Sequence, residues 1–159
     1  MVLDSEVIYA LKRQIIDSWH DHDTGAPEEA ARHYGQEACL VPAFDDSGSL
    51  EGQSEIRAWF DFQRQKFGPE KRQDFQHRVT SFHFQLSEGI VRCRQRLLTT
   101  GQKRIENGEI RTFIVPGSSF DAWQKKQQTW QIISRKIQVD FAAYAKPQPL
   151  MPLNYPGHG

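Results

Sequence analysis

The sequence predicts an α+β fold in which helices cover one face of a β-sheet. In the first third of the chain, apolar residues recur at spacings of three and four, as they do along one face of a helix. From Phe75 onward the spacing changes to two, which is typical of half-buried strands. Helices followed by a run of strands indicate a layered α+β structure. The strongest strand signal lies in residues 117–140, where two apolar stretches flank the polar turn sequence KKQQ.

Two long helices are predicted in the first half of the chain. The first begins with Ser5 as its N-cap and ends near residues 20–23. The other, third in chain order, begins with Ser54 as its cap and ends at Gly68. Their apolar stripes are Ile8, Leu11, Ile15 and Trp19 in the first, and Ile56, Trp59, Phe60 and Phe67 in the third.

A short helix and a short strand lie between them. Pro27 suits the first position of a helix, which is expected to continue through Tyr34 until Gly35 terminates it. Residues 39–44 then predict a strand, and Pro42 indicates either an edge of the sheet or the end of that strand.

The second half of the chain predicts long strands joined by tight turns. The apolar parity switches near Thr80 and Ser81, which predicts a β-bulge. Residues 90–100 predict one long strand, and Asn107 with Gly108 predicts the hairpin turn that follows it. One face of that strand carries Val91, Cys93, Gln95 and Leu97, and the solvent face carries Arg92, Arg94 and Arg96.

The composition is that of a globular protein without a charge-driven partner. The 159 residues suffice for one domain with a single core. Lys and Arg together number 20, as do Asp and Glu, so nothing favours binding to nucleic acid or to an anionic membrane. No apolar run approaches the ~20 residues that cross a bilayer, and the N-terminus lacks a signal-peptide pattern. We therefore expect a cytoplasmic protein with no nucleic-acid or membrane partner.

The domain organisation and the cysteines give further expectations. We expect a single domain over residues 1–145 and an extended proline-rich tail over residues 146–159. Cys39 and Cys93 lie in apolar strand-like runs, which predicts buried free thiols rather than a disulfide. No zinc-ligand spacing occurs in the sequence, and no cofactor is expected.

Five short motifs resemble those of the SnoaL-like branch of the NTF2-like superfamily, and together they span roughly residues 5–140. The resemblance implies a curved mixed, mostly antiparallel sheet wrapped round three N-terminal helices into a cone with an internal pocket. Similar proteins include polyketide cyclases, dehydratases, ketosteroid isomerase-like proteins, dioxygenase small subunits and members with no demonstrated chemistry. The matching motifs are residues 50–60, with Gly52, Glu55, Ile56 and Trp59; residues 77–81, HRVTS; residues 87–89, SEG; Phe120 and Asp121; and residues 130–135, WQIISR.

The resemblance implies that His77 and Asp121 are the catalytic residues. A histidine on this strand acts as general acid or base in similar dehydratases, and imidazole can move protons near neutral pH. The alternative is a structural histidine that is bonded to a backbone carbonyl. An acid near Asp121 points into the pocket in similar enzymes and assists the histidine. Alternation of side chains leaves this open, because Asp121 points outward if Phe120 and Ala122 face the core.

The expected lining of the pocket is largely aromatic, and its one charged member is Arg135. Arg135 could contact an anion or a carbonyl group, but a salt bridge across the sheet or at a dimer contact is the favoured interpretation. The other expected lining residues are Trp19, Trp59, Phe60 and Val79.

The end of the first helix carries a dense group of polar residues. A metal site is conceivable because two histidines lie next to acids, but a solvated group that partly caps the helix is the favoured interpretation. Similar proteins place a Tyr/Asp pair here, and this chain has no tyrosine at that point, which argues against the usual dehydratase chemistry. The members of the group are Asp17, His20, Asp21, His22 and Asp23.

Three functions are compatible with the sequence. The first is a cofactor-independent isomerase, dehydratase or cyclase that acts on a small apolar ring-containing molecule. The second is a non-catalytic module of the same fold that binds a small apolar ligand or a partner, and the third is the structural small subunit of a ring-hydroxylating dioxygenase. A homodimer through the exposed face of the sheet, including Arg92, Arg94 and Arg96, is implied by the resemblance.

Overall fold

The computed structural model describes residues 3–68, 71 and 73–140, so the predicted tail over residues 146–159 lies outside the described residues. Three helices precede most of the strands, in the order that the sequence predicts. The elements are α1 (Ser5–Thr24), α2 (Pro27–Ala31), β1 (Tyr34–Pro42), β2 (Leu50–Glu51), α3 (Gln53–Lys66), β3 (Gln73–Ser87), β4 (Ile90–Arg104), β5 (Ile110–Lys126) and β6 (Thr129–Val139).

In the described part of the chain, six strands form one mixed sheet in the order β2-β1-β6-β5-β4-β3. Within this sheet β1 and β6 are parallel neighbours, and the other four pairings are antiparallel. The three long strands β3, β4 and β5 are consecutive in the chain and joined by tight turns, which makes the antiparallel pairing local. The predicted α+β fold with a mostly antiparallel mixed sheet is confirmed.

The core lies between the helices and one face of the sheet. α1 packs against β3, and α3 packs against β1 and α2. Apolar and aromatic side chains fill this layer, and its largest fully buried members come from both the helices and the strands. They include Leu11, Ile15, Trp19, Tyr34, Trp59, Phe60, Trp123 and Ile132.

The turns and the bulge lie where the sequence predicts them. Ser81 has a φ of 53°, and the pairing of β3 with β4 shifts register between Thr80 and His83, which is the expected bulge. The turn that contains Asn107 joins two strands paired at Arg104 and Ile110. The sequence predicts these features because positive-φ residues and turn residues determine the backbone conformation at their own positions.

The two faces of β4 also follow the prediction. The apolar set Val91, Cys93 and Leu97 is buried together with Gln95, and Arg92, Arg94 and Arg96 are exposed. Cys39 is half-buried and Cys93 is buried, and both are free thiols. No helix among the described residues combines the length and the apolar character needed to cross a bilayer.

The helix boundaries near α1 and α3 differ from the predicted ones by one or two residues. Asp4 is the N-cap of α1 instead of Ser5, because its carboxylate accepts a hydrogen bond of 2.8 Å from the backbone N–H of Val7. Gly52 is the N-cap of α3 instead of Ser54, and its φ of 82° suits glycine. Both cap predictions were wrong because two neighbouring residues could each cap the helix, and only the path of the chain decides between them.

The predicted extension of α2 through Tyr34 is wrong. α2 ends at Ala31, and Tyr34 opens β1, where it pairs with Ile132 of β6. Pro42 ends β1, which is one of its two expected placements, and the edge strand beside β1 is β2. Pairing with β6 supplies hydrogen bonds that a short helix extension lacks, so the tertiary contact outweighs local helix propensity.

The outer face of the sheet carries a mixed basic and apolar surface. Arg94 lies over the ring of Phe120 at 5.4 Å from the ring centre, and Phe120 is 38% exposed. Leu98 and Ile114 are also exposed on β4 and β5. This surface is the one assigned to the homodimer, which stays a prediction.

Candidate functional site

The C-terminal end of α1 is held in place by a side chain from α3. The guanidinium group of Arg64 donates hydrogen bonds of 2.7–2.9 Å to the backbone carbonyls of Asp21, His22 and Gly25. The His22 carbonyl lies in the last turn, where a helix leaves carbonyls without intrahelical partners, and the Asp21 carbonyl also accepts a hydrogen bond from the N–H of Gly25. The contact holds the last turn of α1, which carries Asp23, against α3.

Asp23 and His77 form a closely hydrogen-bonded pair between α1 and β3. The distance from Nδ1 of His77 to Oδ1 of Asp23 is 2.6 Å, and the backbone N–H of His77 donates to Oδ2 of Asp23 at 2.7 Å. The side chain of His77 is only 4% exposed, and that of Asp23 is 8% exposed. Since a carboxylate only accepts hydrogen bonds, Nδ1 of His77 donates in this contact, and in the neutral form of the ring the lone pair lies on Nε2.

The pair borders a cavity of about 550 Å³ between α1 and β3. This volume lies within the ~300–1,000 Å³ that is typical of small-molecule sites. Ile16, Trp19 and Val79 provide an apolar wall beside the polar pair. The full lining is Ile16, Trp19, His20, Asp23, Thr24, Gln76, His77, Arg78, Val79 and Thr80.

His22 lies behind the pair, inside the core. Its ring is 5.3 Å from the ring of His77 and 5.1 Å from that of Phe60, measured between ring centres. Burial, with smaller contributions from the charges of His77, Arg135 and Arg64, holds the pKa of His22 well below 6.5, so the ring stays neutral. Its Nδ1 atom has no hydrogen-bond partner among the described residues.

Asp121 faces the interior and is bound to Arg135, its partner on the neighbouring strand. Nε and Nη2 of Arg135 donate to the two carboxylate oxygens at 3.0 and 2.7 Å, and both side chains are fully buried. Asp121 also accepts hydrogen bonds from the Gln95 amide, the Ser119 hydroxyl and the Trp123 indole. No hydrogen bond joins Asp121 to His77 in the part of the chain that the structure describes.

The guanidinium group of Arg135 is surrounded by aromatic rings. Its central carbon is 4.6 Å from the ring centre of Trp19 and 5.8 Å from those of Tyr34 and Trp123. Burial opposes the charge, but Asp121 and Tyr34 outweigh it and raise the pKa of Arg135. The favoured interpretation of Arg135 as a cross-sheet salt bridge therefore matches the observed contact with Asp121.

The predicted site residues fall into three groups in the structure. His77, Trp19 and Val79 line the cavity, whereas Trp59 and Phe60 are buried deeper on α3. Asp121 and Arg135 belong to the buried pair on β5 and β6. The sequence predicted that His77 and Asp121 act together. In the structure His77 pairs with Asp23, and Asp121 pairs with Arg135.

Sequence reasoning missed Asp23 and His22 as members of the site. Both were interpreted as solvated residues at a helix end, which is wrong because His22 is buried and Asp23 is largely so. A signal was present, since they lie three and four residues after Trp19 and therefore continue the buried stripe of α1. Their partners on other elements leave no such signal.

Three side chains of the site are of types that can bind a metal ion. One ligand atom from each of His22, Asp23 and His77 lies within 4.8 Å of the others. Zinc holds its ligands at about 2.0–2.2 Å, so atoms that bind one zinc ion lie closer to one another than 4.8 Å. Both oxygens of Asp23 already accept hydrogen bonds from His77, so the observed arrangement is that of a hydrogen-bonded acid–base pair.

The low pKa of His22 predicts a loss of stability in acid. The unfolded chain binds a proton on His22 as the pH falls below about 6.5 and the folded protein does not, so the free energy of unfolding decreases, by up to about 1.4 kcal/mol per pH unit. Urea denaturation at several pH values measures this slope. His22→Gln should reduce the slope, with a remainder from His33, whose pKa is also lowered by burial. An equal slope in His22→Gln and wild type would contradict the prediction.

Solved structures of low sequence identity share the fold. A protein of unknown function with a cystatin-like fold from Nostoc punctiforme is 17% identical, with a TM-score of 0.67 over 89% of this chain and 97% of that chain. A proposed scytalone dehydratase from Novosphingobium aromaticivorans is 17% identical, with a TM-score of 0.70 over 85% of each chain. A protein from Catenulispora acidiphila, solved in complex with S-DNPA, is 13% identical, with a TM-score of 0.68 over 88% of this chain and 98% of that chain. No family model and no curated protein matches this chain.

Proposed function

We propose that this chain, which has the NTF2-like fold, moves a proton on a small apolar ring-containing molecule that binds in the cavity beside Asp23 and His77. The observation that carries the proposal is the double hydrogen bond between these residues at the wall of the cavity. It orients the imidazole, holds the proton on Nδ1 and leaves Nε2 as the nitrogen for the ligand. The role assigned to Asp121 by resemblance passes to Asp23 in this proposal.

His77 acts first as a base and then as an acid. Nε2 takes a proton from a carbon of the bound molecule, and the electron pair of that C–H bond moves towards a carbonyl oxygen or a leaving hydroxyl group. The imidazolium, stabilised by the carboxylate of Asp23, then returns the proton. Return to another carbon isomerises the molecule, and return to the hydroxyl group releases water and leaves a double bond. The second outcome is a dehydration, the class of reaction named for the Novosphingobium protein.

A non-catalytic binding module is the second candidate. It is favoured by the environment of Asp121, whose two oxygens accept hydrogen bonds from Arg135, Gln95, Ser119 and Trp123. That carboxylate is therefore not free to assist His77, and the site keeps one acid–base pair. Under this candidate the cavity binds an apolar ring without changing it.

The ring opening of 5-nitrobenzisoxazole separates the two candidates, because it needs only a positioned base in an apolar cavity. The base removes the ring C–H proton, a nitrile forms as the N–O bond breaks, and the oxygen leaves with the electron pair as a coloured phenolate. The wild-type protein should accelerate this reaction over buffer. His77→Ala should lower kcat/KM by at least about 10²-fold, since a positioned general base contributes that much.

His83→Ala is the matched control for this assay. His83 lies on the same strand beyond the bulge and is exposed on the outer face of the sheet, so its loss should leave kcat/KM unchanged. Equal rates for wild type and His77→Ala would contradict the proposed role of His77. Binding of the ring compound without ring opening would favour the binding module.

A further inference from the structure

A second, smaller cavity of about 240 Å³ lies on the outer face of the sheet, and we call it the outer depression. Its side chains belong to two rows that cross strands β3 to β6, because directly paired residues point to the same face of a sheet. All of them except Lys136 line the outer depression. The first row is His83, Arg94, Phe120 and Lys136, and the second is Gln85, Arg92, Ala122 and Ser134.

The outer depression forms where small side chains lie beside long ones. Ala122 and Ser134 are paired and half-buried, whereas Arg92, Arg94 and Phe120 around them are exposed. Paired side chains stand about 5 Å apart on a sheet, so a methyl group and a hydroxymethyl group leave open the space between their longer neighbours. The result is a shallow floor with arginine side chains at its rim.

Two arginines at this rim lack the anionic partner that the next arginine of β4 has. Nη1 of Arg96 donates to the carboxylate of Asp140 at 2.8 Å. Among the described residues, the side chains of Arg92 and Arg94 make neither an ion pair nor a hydrogen bond, and Arg94 contacts the ring of Phe120 instead. Their donor groups are therefore available to a ligand.

The acids closest to the outer depression leave this charge uncompensated. Asp121 borders it, but its side chain is fully buried against Arg135. Along the second row the next acid is Glu51, which lies two strands beyond Ser134 and accepts a hydrogen bond from Ser49. The outer depression therefore combines a concave floor with positive charge that the protein does not balance.

We propose that the outer depression binds a phosphate group between Arg92 and Arg94. Guanidinium groups stay protonated and present paired N–H donors that match phosphate oxygens. A phosphomonoester carries a charge of about −1.5 to −2 at pH 7, which balances two arginines better than a single carboxylate does. The Ser134 hydroxyl and the Gln85 amide can donate from the same row. No residue of this site lines the larger cavity, so the inference does not depend on the proposed function.

The size and the charge of the outer depression favour this ligand over the alternatives. About 240 Å³ is less than the ~300–1,000 Å³ of a site that encloses a whole small molecule, so a compact group fits better than a large apolar ligand. A second copy of the chain on this face would add its own Arg92 and Arg94 to the same surface, and like charges oppose association. A phosphate group supplies the opposite charge.

Calorimetric titration with phenyl phosphate and with inorganic phosphate tests the site. Wild type should bind, and Arg92→Gln should weaken binding at least about 10-fold, as expected for lost hydrogen bonds to a charged group. Arg92 is exposed, so the variant should fold. Tighter binding of phenyl phosphate would identify a phosphomonoester as the ligand, and equal binding of the two probes would identify the free ion.

A second variant blocks the outer depression without changing any charge. Ala122→Leu should fill the floor and weaken phosphate binding at least about 10-fold, although Arg92 and Arg94 remain. Arg57→Gln is the matched control for charge, because Arg57 is 60% exposed on α3 and pairs with Glu28. It should leave the phosphate affinity unchanged.

The remaining outcomes would overturn the site. They are equal affinity in wild type and Arg92→Gln, retained binding in Ala122→Leu, and an equal loss in Arg57→Gln. A loss of phosphate binding in His77→Ala would assign the ligand to the larger cavity, whereas loss of ring opening alone would count only against the proposed function. Absence of binding to wild type would also overturn the site, and a dimer in sedimentation would then assign this face to a second copy.

Discussion

Asp121→Ala is expected to destabilise the protein by about 3–5 kcal/mol, which is a large part of the stability of a typical domain. The substitution leaves the guanidinium group of Arg135 buried without the carboxylate that balances its charge. It also removes the acceptor for Gln95, Ser119 and Trp123. Urea denaturation followed by tryptophan fluorescence measures the change.

Asp140→Ala is the matched control for this prediction. Asp140 pairs with Arg96, whose side chain is 48% exposed, and accepts hydrogen bonds from the Ser118 hydroxyl, so its loss should cost about 1–2 kcal/mol, less than the loss of Asp121. The double variant Asp121→Leu with Arg135→Met should recover much of the stability, since apolar residues can replace a buried ion pair at little cost. Similar losses of stability for Asp121→Ala and Asp140→Ala would show that the buried ion pair contributes no more to stability than the partly exposed one.

Asp23→Asn is expected to lower kcat/KM for ring opening by about 10²–10⁴-fold with the fold retained. The backbone N–H of His77 donates to Oδ2 of Asp23, so the amide oxygen of asparagine takes that position. The amide NH₂ group then faces Nδ1 of His77 and donates to it. The imidazole is forced to carry its proton on Nε2, where the base is needed, and the ring can no longer accept a proton from the bound molecule.

Asp21→Asn is the matched control for the tautomer argument. Asp21 also contacts a histidine, His33, at 2.7 Å, but it does not line the cavity. Its substitution should leave kcat/KM unchanged, and urea denaturation of both variants checks that neither has unfolded. Wild-type activity in Asp23→Asn would mean that Asp23 does not set the tautomer of His77.

Local chemistry allowed much of the sheet to be predicted. The bulge at Ser81, the turn at Asn107 and the two faces of β4 depend on positive-φ residues and on alternation within one strand. Such features involve neighbouring residues, so the sequence pattern contains them. The same reasoning left the face of Asp121 open, because its neighbours Phe120 and Ala122 are both apolar. β5 shifts register against β6 after Ala122, and Asp121 is buried while Phe120 is exposed.

The sequence by itself determined the α+β class, the long antiparallel strands and His77 as a candidate proton carrier. Only the tertiary structure decided which acid serves which base. Asp23 and His77 are 54 residues apart and meet between a helix and a strand, while Asp121 pairs with Arg135 across the sheet. Periodicity places a side chain on the face of one element, but the partner across a layer depends on how the elements pack and on strand register. A carboxylate therefore acts as an orienting acid or as half of a buried ion pair according to contacts that the linear sequence does not contain.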